Sequence, residues 1–368
     1  MASQVWTETV PSNELSENQI DVLQREGFTR GLAKSLAANC TEFPIRFWVV
    51  DNSYSMEARD GHKIIDTKNH ADVRTTSCTR WEEIKECVSY HARMSQLLGS
   101  ETHFRLLNDP ECVPQNVIIG GNNNSTHSQL ESNLSKTKPM GLTPLTAHIH
   151  ELEQTIRSMA PSMTHNGQKA VIVLATDGLP VSGKRSSKEE DTKEFVHAMR
   201  SLEGLPVWIV IRLCTDEEDV VDFYGDLDDQ LELSLDVLDD FEGEAKEVYE
   251  FNKWLTYGLP IHRMRERGFQ DRVFDLIDER ALTKGELRQF FVLLFGEESF
   301  DGVPDPSVDW NGFAEEIERM LEREECQWNP VKKRVLPWVD MKELNKAYGD
   351  SHDGLLKRMG KSFRLRRR

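Results

Sequence analysis

Hydrophobic residues along this chain follow two rhythms. Unbroken apolar runs at 47–50, 171–175 and 207–211, each bounded by polar residues, predict strands buried on both faces, as in parallel sheets. Between them the period lengthens. Trp81, Ile84, Val88, His91, Met94 and Leu98 recur at helical spacing and predict a helix over 80–98. Leu145, Ile149, Leu152 and Ile156 mark the buried face of another, opened by Thr143 with Pro144 at its first position. Residues 187–203 and 244–255 also read as helices, and 104–107 and 116–119 as short strands. Gly120 to Ser128 reads as a Gly/Asn-rich loop. Leu231, Leu233, Leu235 and Val237 alternate like a strand inside an acidic run from Asp216 to Asp240, which otherwise reads as a solvated face or an attractor for basic groups.

Ahead of the first run, Ser16, Ile20, Val22, Leu23, Leu32 and Leu36 predict one or two helices that lead into it and cover an edge of the sheet. Residues 1–13 read as disordered. Residues 57–79 form a polar insertion with Asp60, His62, Asp66, His70 and Asp72, whose alternation fits a small hairpin. The repeated strand–helix order predicts an α/β fold: a doubly wound, mostly parallel, Rossmann-like sheet with a C-terminal helical module. The expected divisions are a helical lead-in at 1–42, the α/β domain at 43–257, a helical module at 258–326 after the boundary near Pro260, and a tail at 327–368. That tail holds Trp328, Pro330, Pro337 and Trp338 and ends in Arg364, Arg366, Arg367 and Arg368, a basic end that could meet the acidic run.

Composition narrows the class. Hydrophobic content of 38% and charged content of 29% are those of a soluble globular protein. A net charge of -18 argues against general nucleic-acid or anionic-membrane binding. The six cysteines are scattered without a Cys-x-x-Cys pair, which disfavours zinc and disulfide frameworks and suits free thiols in a reducing compartment. No basic-then-apolar leader and no run of membrane-spanning length is present, so the expectation is a cytoplasmic protein.

The candidate chemistry sits at the ends of the apolar runs. Asp51 closes the first, and Ser53 and Ser55 follow at alternate positions. The carboxyl ends of strands are where open α/β sheets bind ligands. A carboxylate with two hydroxyls is an all-oxygen set suited to a hard cation such as Mg²⁺. Asp51-x-Ser53-x-Ser55 resembles the first motif of von Willebrand factor type A (vWA) domains. Gly141-Leu142-Thr143-Pro144-Leu145 resembles their second, and the apolar strand ending Thr176-Asp177-Gly178 their third. The resemblance covers roughly residues 43–257 and implies a metal-ion-dependent adhesion site (MIDAS) of Asp51, Ser53, Ser55, Thr143 and Asp177. Such a site holds Mg²⁺ or another hard divalent cation, which takes an acidic side chain of a partner protein. The implied role is a non-enzymatic binding module in a larger intracellular assembly.

Other readings compete. Gly178-x-x-x-x-Gly183-Lys184 follows a strand and precedes a helix, as a phosphate loop does, but Arg185 replaces the expected Ser/Thr. It supports the alternative of a metal-assisted hydrolase or nucleotide-binding protein. Ser53 or Ser55 with His62 or His148 could be drawn as a catalytic triad, although no Gly-x-Ser-x-Gly elbow surrounds either serine. In the helical module, Asp275 and Asp278 before Gly285-Glu286, and Asp301 and Asp309 before Gly312, faintly resemble a degenerate EF-hand pair. Gly312 stands where a closing carboxylate belongs, which favours a helix pair without calcium.

Overall fold

A computed structural model of the chain describes residues 15–65, 74–181 and 186–349. Two helices, α1 (Glu17–Arg25) and α2 (Arg30–Glu42), precede strand β1 (Ile45–Val50). The antiparallel hairpin β2 (Gly61–Ile65) and β3 (Arg74–Cys78) leads to helix α3 (Arg80–Leu98). Next come β4 (Glu101–Leu106), β5 (Asn116–Ile119), α4 (His127–Lys136), α5 (Leu145–His165) and β6 (Ala170–Thr176). Then follow α6 (Lys188–Arg200), β7 (Val207–Leu213), α7 (Glu218–Gly225), α8 (Leu227–Gln230), β8 (Leu235–Leu238) and α9 (Phe241–Phe251). The remaining elements are α10 (Leu259–Glu266), α11 (Arg272–Asp275), α12 (Lys284–Phe295), α13 (Trp310–Leu321), the hairpin β9 (Gln327–Asn329) and β10 (Arg334–Leu336), and α14 (Met341–Tyr348).

The centre is a six-stranded sheet in the order β5-β4-β1-β6-β7-β8. Its pairings are parallel except for β4 with β5, so the protein is a mixed α/β fold with a mostly parallel sheet. The unbroken apolar runs are explained by burial from both sides. Ile45, Phe47 and Val49 pack with Ile149 and Ile156 of α5 and Phe195 of α6. The alternate residues Trp48 and Val50 pack with Ile84 and Val88 of α3 and Leu130 of α4. From β1 the chain moves outward to β4 and β5, then returns to β6 on the other flank of β1. Helix α3 lies on one face and α6 on the other, so the loops leaving β1 and β6 diverge and open a crevice at their carboxyl ends.

Three expectations change. The loop expected at 120–128 ends early, because Thr126 caps α4 through a reciprocal capping box with Gln129. Only Leu130 and Leu134 of α4 are buried, too few to announce a helical period. Within the acidic run, the strand covers only Leu235–Leu238; α7 and α8 precede it, burying Val220, Tyr224 and Leu227 at helical spacing. The N-terminal helices pack against the C-terminal ones: Leu23, Phe28, Leu32 and Leu36 share one core with Phe290, Phe291, Leu294 and Phe313. The Thr29 hydroxyl donates to the Leu294 carbonyl, and Gln19 Nε2 to Leu97 O at 2.7 Å. The chain end returns to the same unit, with Thr256 N donating to Trp338 O at 2.9 Å and Asp340 N to Trp254 O at 2.7 Å.

The closest approach in this unit is α2 against the end of α12. A Cβ on Gly31 would stand 2.3 Å from Gly296 N and 2.6 Å from Leu294 O, both backbone atoms. Gly31→Ala should therefore destabilise the protein by about 1–3 kcal/mol through overpacking. Gly285→Ala, in a helix with open space around the new Cβ, should instead gain about 0.5–1 kcal/mol. Urea unfolding of both variants checks the pair, and equal effects would contradict the packing.

Helix α10 carries Arg265 into a group of acids: Glu244, Asp236 at 3.2 Å and Asp278 at 2.7 Å. Nearby, burial and Asp236 push Asp275 up to about 7, opposed by Arg265. The folded state thus holds a proton that the unfolded chain releases near pH 4, so stability falls as pH rises towards 7. Asp275→Asn should flatten that decline, leaving the variant relatively more stable at pH 8 than at pH 5. Chemical denaturation at the two pH values measures it.

Candidate functional site

The three motif loops meet at the carboxyl ends of β1 and β6. Asp51 continues the β1 ladder, its N–H donating to Ala175 O at 2.8 Å. Its carboxylate is held on both oxygens: Oδ1 accepts from Ser53 N at 2.8 Å and Oδ2 from Thr176 Oγ1 at 2.7 Å. The hydroxyls of Ser53 and Ser55 are 2.9 Å apart, and Ser55 Oγ donates to Asp177 Oδ1 at 2.8 Å. Three of the five expected residues, Ser53, Ser55 and Asp177, therefore form one connected chain of oxygens, and Asp51 joins it through Ser53 N. Thr143 is buried beside them. Its hydroxyl makes no hydrogen bond among the described residues, and both Thr143 Oγ1 and Ser55 Oγ lie within 4 Å of where a Gly178 side chain would begin.

The second loop is pinned by backbone contacts. Met140 N donates to Asn52 O at 2.6 Å and Tyr54 N to Gly141 O at 3.3 Å. Asn52 and Asn108 exchange bonds, Asn108 N to Asn52 Oδ1 at 2.7 Å and Asn52 Nδ2 to Asn108 O at 3.0 Å. Asn108 Nδ2 then reaches Leu142 O at 2.8 Å. Gly141 adopts φ +78°, and a Cβ there would stand 2.5 Å from Asn108 Oδ1, so glycine is required. Val181 N donates to Thr143 O at 2.9 Å and Tyr224 Oη to Gly178 O at 3.0 Å, tying the third loop to the second and to α7.

Burial, and then the charge of Asp177, push Asp51 up to about 6. Asp177 is also raised by burial, opposed by Ser55 and Arg80. Arg80 was not anticipated from the sequence. Its Nη1 donates to Asp177 Oδ2 at 3.1 Å, and its other nitrogens hold Asp60 at 2.5 Å and Glu217 at 3.0 Å. A faint signal existed: Arg80 opens a helix just after the Thr79 cap, where a cation opposes the helix dipole.

The competing sites do not assemble among the described residues. His62 Nδ1 faces Asp240 at 3.2 Å and His148 Nε2 faces Leu107 O at 2.9 Å, so neither engages Ser53 or Ser55. Gly183, Lys184 and Arg185 of the phosphate-loop reading lie outside the described residues, as do Asp66, His70, Asp72 and the basic end. In the EF-hand-like stretch, Glu286 is held by Arg280 at 2.7 Å, and Asp309 caps α13 through Gly312 N at 2.9 Å.

No protein-family model matches the chain, and no curated protein matches it. Among solved structures it is similar to a point mutant of the PilB minor pilin from Streptococcus sanguinis. The identity is 12% and the TM-score 0.35, over 67% of this chain and 62% of the pilin. The chain thus spans less than two thirds of that protein, and so slight a likeness bears on neither fold nor function.

The arrangement has the donor set of a hard-cation site. Oxygens of two carboxylates and three hydroxyls surround the crevice, and repulsion between the buried aspartates is what a cation would relieve. Without metal, Arg80 is the counter-charge of Asp177. In EDTA, Arg80→Gln should cost about 3–5 kcal/mol, because it strands a buried carboxylate. In an Asp177→Asn background the same change should cost at least about 1 kcal/mol less. An additive double-mutant cycle would show that the pair is not coupled.

Proposed function

We propose that the chain carries a doubly wound vWA-type domain whose MIDAS, formed by Asp51, Ser53, Ser55, Thr143 and Asp177, binds Mg²⁺ and through it an acidic group of a partner protein. The observation that carries this reading is the connected Ser53–Ser55–Asp177 oxygen chain beside Asp51, at the crevice where the strand order reverses. Bound Mg²⁺ would supply a Lewis-acidic position for a carboxylate from outside. The chain's own residues do the rest. Thr176 and Ser53 N fix the orientation of Asp51, while Ser55 and Arg80 fix that of Asp177. Three neutral hydroxyls leave the site under-neutralised, so an anionic ligand completes it. The rim suits a protein surface: Tyr54 and Leu142, on the two loops joined by the Tyr54 N–Gly141 O bond, are 66% and 50% exposed.

The test is thermodynamic first and biochemical second. Mg²⁺ at 100 times its Kd should stabilise the wild type by about 2.7 kcal/mol over EDTA. Asp51→Ala combined with Ser53→Ala should abolish the shift. Affinity capture should then yield partners in Mg²⁺ that disappear in EDTA and with the double variant. A melting temperature indifferent to Mg²⁺ would overturn the reading.

A further inference from the structure

Away from the oxygen-lined loops, the contact between α3 and α10 gathers softer donors. Cys87 and His91 are four residues apart on α3, and His262 and Glu266 four apart on α10, so each pair shares a helix face. All four are buried. Cys87 Sγ lies 3.4 Å from Glu266 Oε1, His91 Nε2 3.1 Å from Glu266 Oε2, and His262 Nε2 3.2 Å from Glu266 Oε1. The donor atoms of Cys87, His91 and Glu266 lie within 4.8 Å of one another. Ligands at zinc bond lengths of about 2.0–2.3 Å stand about 3.3–3.8 Å apart around a tetrahedron, and the approaches of Cys87 and His91 to Glu266 fall near that range. His262 Nε2 is fully buried and faces the same carboxylate without a well-aligned hydrogen bond.

We propose that Cys87, His91, His262 and Glu266 form a zinc site that joins the sheet layer to the C-terminal helices. A thiolate and two imidazoles select zinc over the Mg²⁺ favoured by oxygen donors. On binding, a metal–sulfur bond forms at Cys87 and its S–H proton leaves to solvent. His91 and His262 bind through imidazole lone pairs. Burial already keeps both imidazoles neutral, His91 being pushed down to about 4, which is the ligand form. The neighbouring arginines do not forbid a cation. Arg212 and Arg263 hold Glu266 at 3.2 and 2.9 Å, but they also pair with Glu83 and Glu86. Two arginines against three glutamates leave one negative charge, the Cys87 thiolate adds another, and a divalent ion cancels both. A small cavity lined by Cys87, Glu266, Arg212 and Arg263 also touches His62 and Thr75 of the β2–β3 hairpin.

The test uses the full chain, stripped with EDTA and dialysed, with Zn²⁺ and Co²⁺ as probes. With Mg²⁺ in excess to fill the oxygen-lined site, one equivalent should bind, and the Co²⁺ form should show a thiolate charge-transfer band in the near ultraviolet. Cys87→Ser should remove the band and weaken Zn²⁺ binding more than about 100-fold, beyond what loss of an outer partner does. Asp51→Ala should leave both unchanged. Should Cys87→Ser fail to fold, alkylation of the wild type in partly denaturing urea decides: Cys87 of the stripped protein should react, and Zn²⁺ should protect it while the exposed Cys112 and Cys326 still react. Absence of the band, its survival in Cys87→Ser, or unprotected Cys87 would each overturn the proposal.

Discussion

The structure depends on keeping two aspartates ionisable side by side at the ends of adjacent parallel strands. Asp51 and Asp177 are almost wholly buried; desolvation opposes the charge of both, and the charge of Asp177 adds to it at Asp51. The fold answers with oriented donors on every accessible oxygen: a backbone N–H and a threonine for Asp51, a serine and an arginine for Asp177. The loops cannot drift without breaking these bonds, and the Asn52–Asn108 exchange and Gly141 turn fix the second loop relative to the first. The crevice is therefore preorganised before anything enters it.

Arg80 carries this constraint outward. It reaches Asp177 from the first turn of α3 while also holding Asp60, beside the hairpin, and Glu217, ahead of α7. The site's charge balance is thus linked to two flanking segments, and its partners Asp60 and Glu217 are themselves half-exposed or more. Where the accepting carboxylate is wet the pair contributes little, and where it is dry, as at Asp177, the pair matters.

Legibility followed burial symmetry. Strands β1, β6 and β7 are apolar on both faces, so their runs announced themselves; the polar ends of β1 and β6 brought Asp51, Ser53, Ser55 and Asp177 with them, while Thr143 came from the Gly-x-Thr-Pro-Leu stretch before α5. The same symmetry hid α10. Its Ile261 and Met264 are apolar, but His262, Arg263, Arg265 and Glu266 are buried too, and a polar helix reads as a surface helix. The expected boundary near Pro260 marked the start of a helical module and took no account of these charges. The structure instead threads these charges between α3, the sheet and the acids Glu83, Glu86, Glu244 and Asp236. Long-range ion pairs have no period, so no single segment could reveal them.

A buried ionic layer is a costly way to join two apolar cores, since replacing such pairs with hydrocarbon is often neutral or stabilising. Glu266 alone gathers two arginines, two histidines and a thiol, more contacts than a structural pair needs. Donor chemistry then separates two proposed roles within one chain. Hydroxyls and carboxylates beneath the exposed Ser55 suit an ion that retains water and accepts an outside ligand. Sulfur and imidazole closed inside the α3–α10 contact suit an ion that fills its coordination from the protein and stays. Because α3 supplies Arg80 at its first turn and Cys87 and His91 in its middle, one rigid helix connects the two.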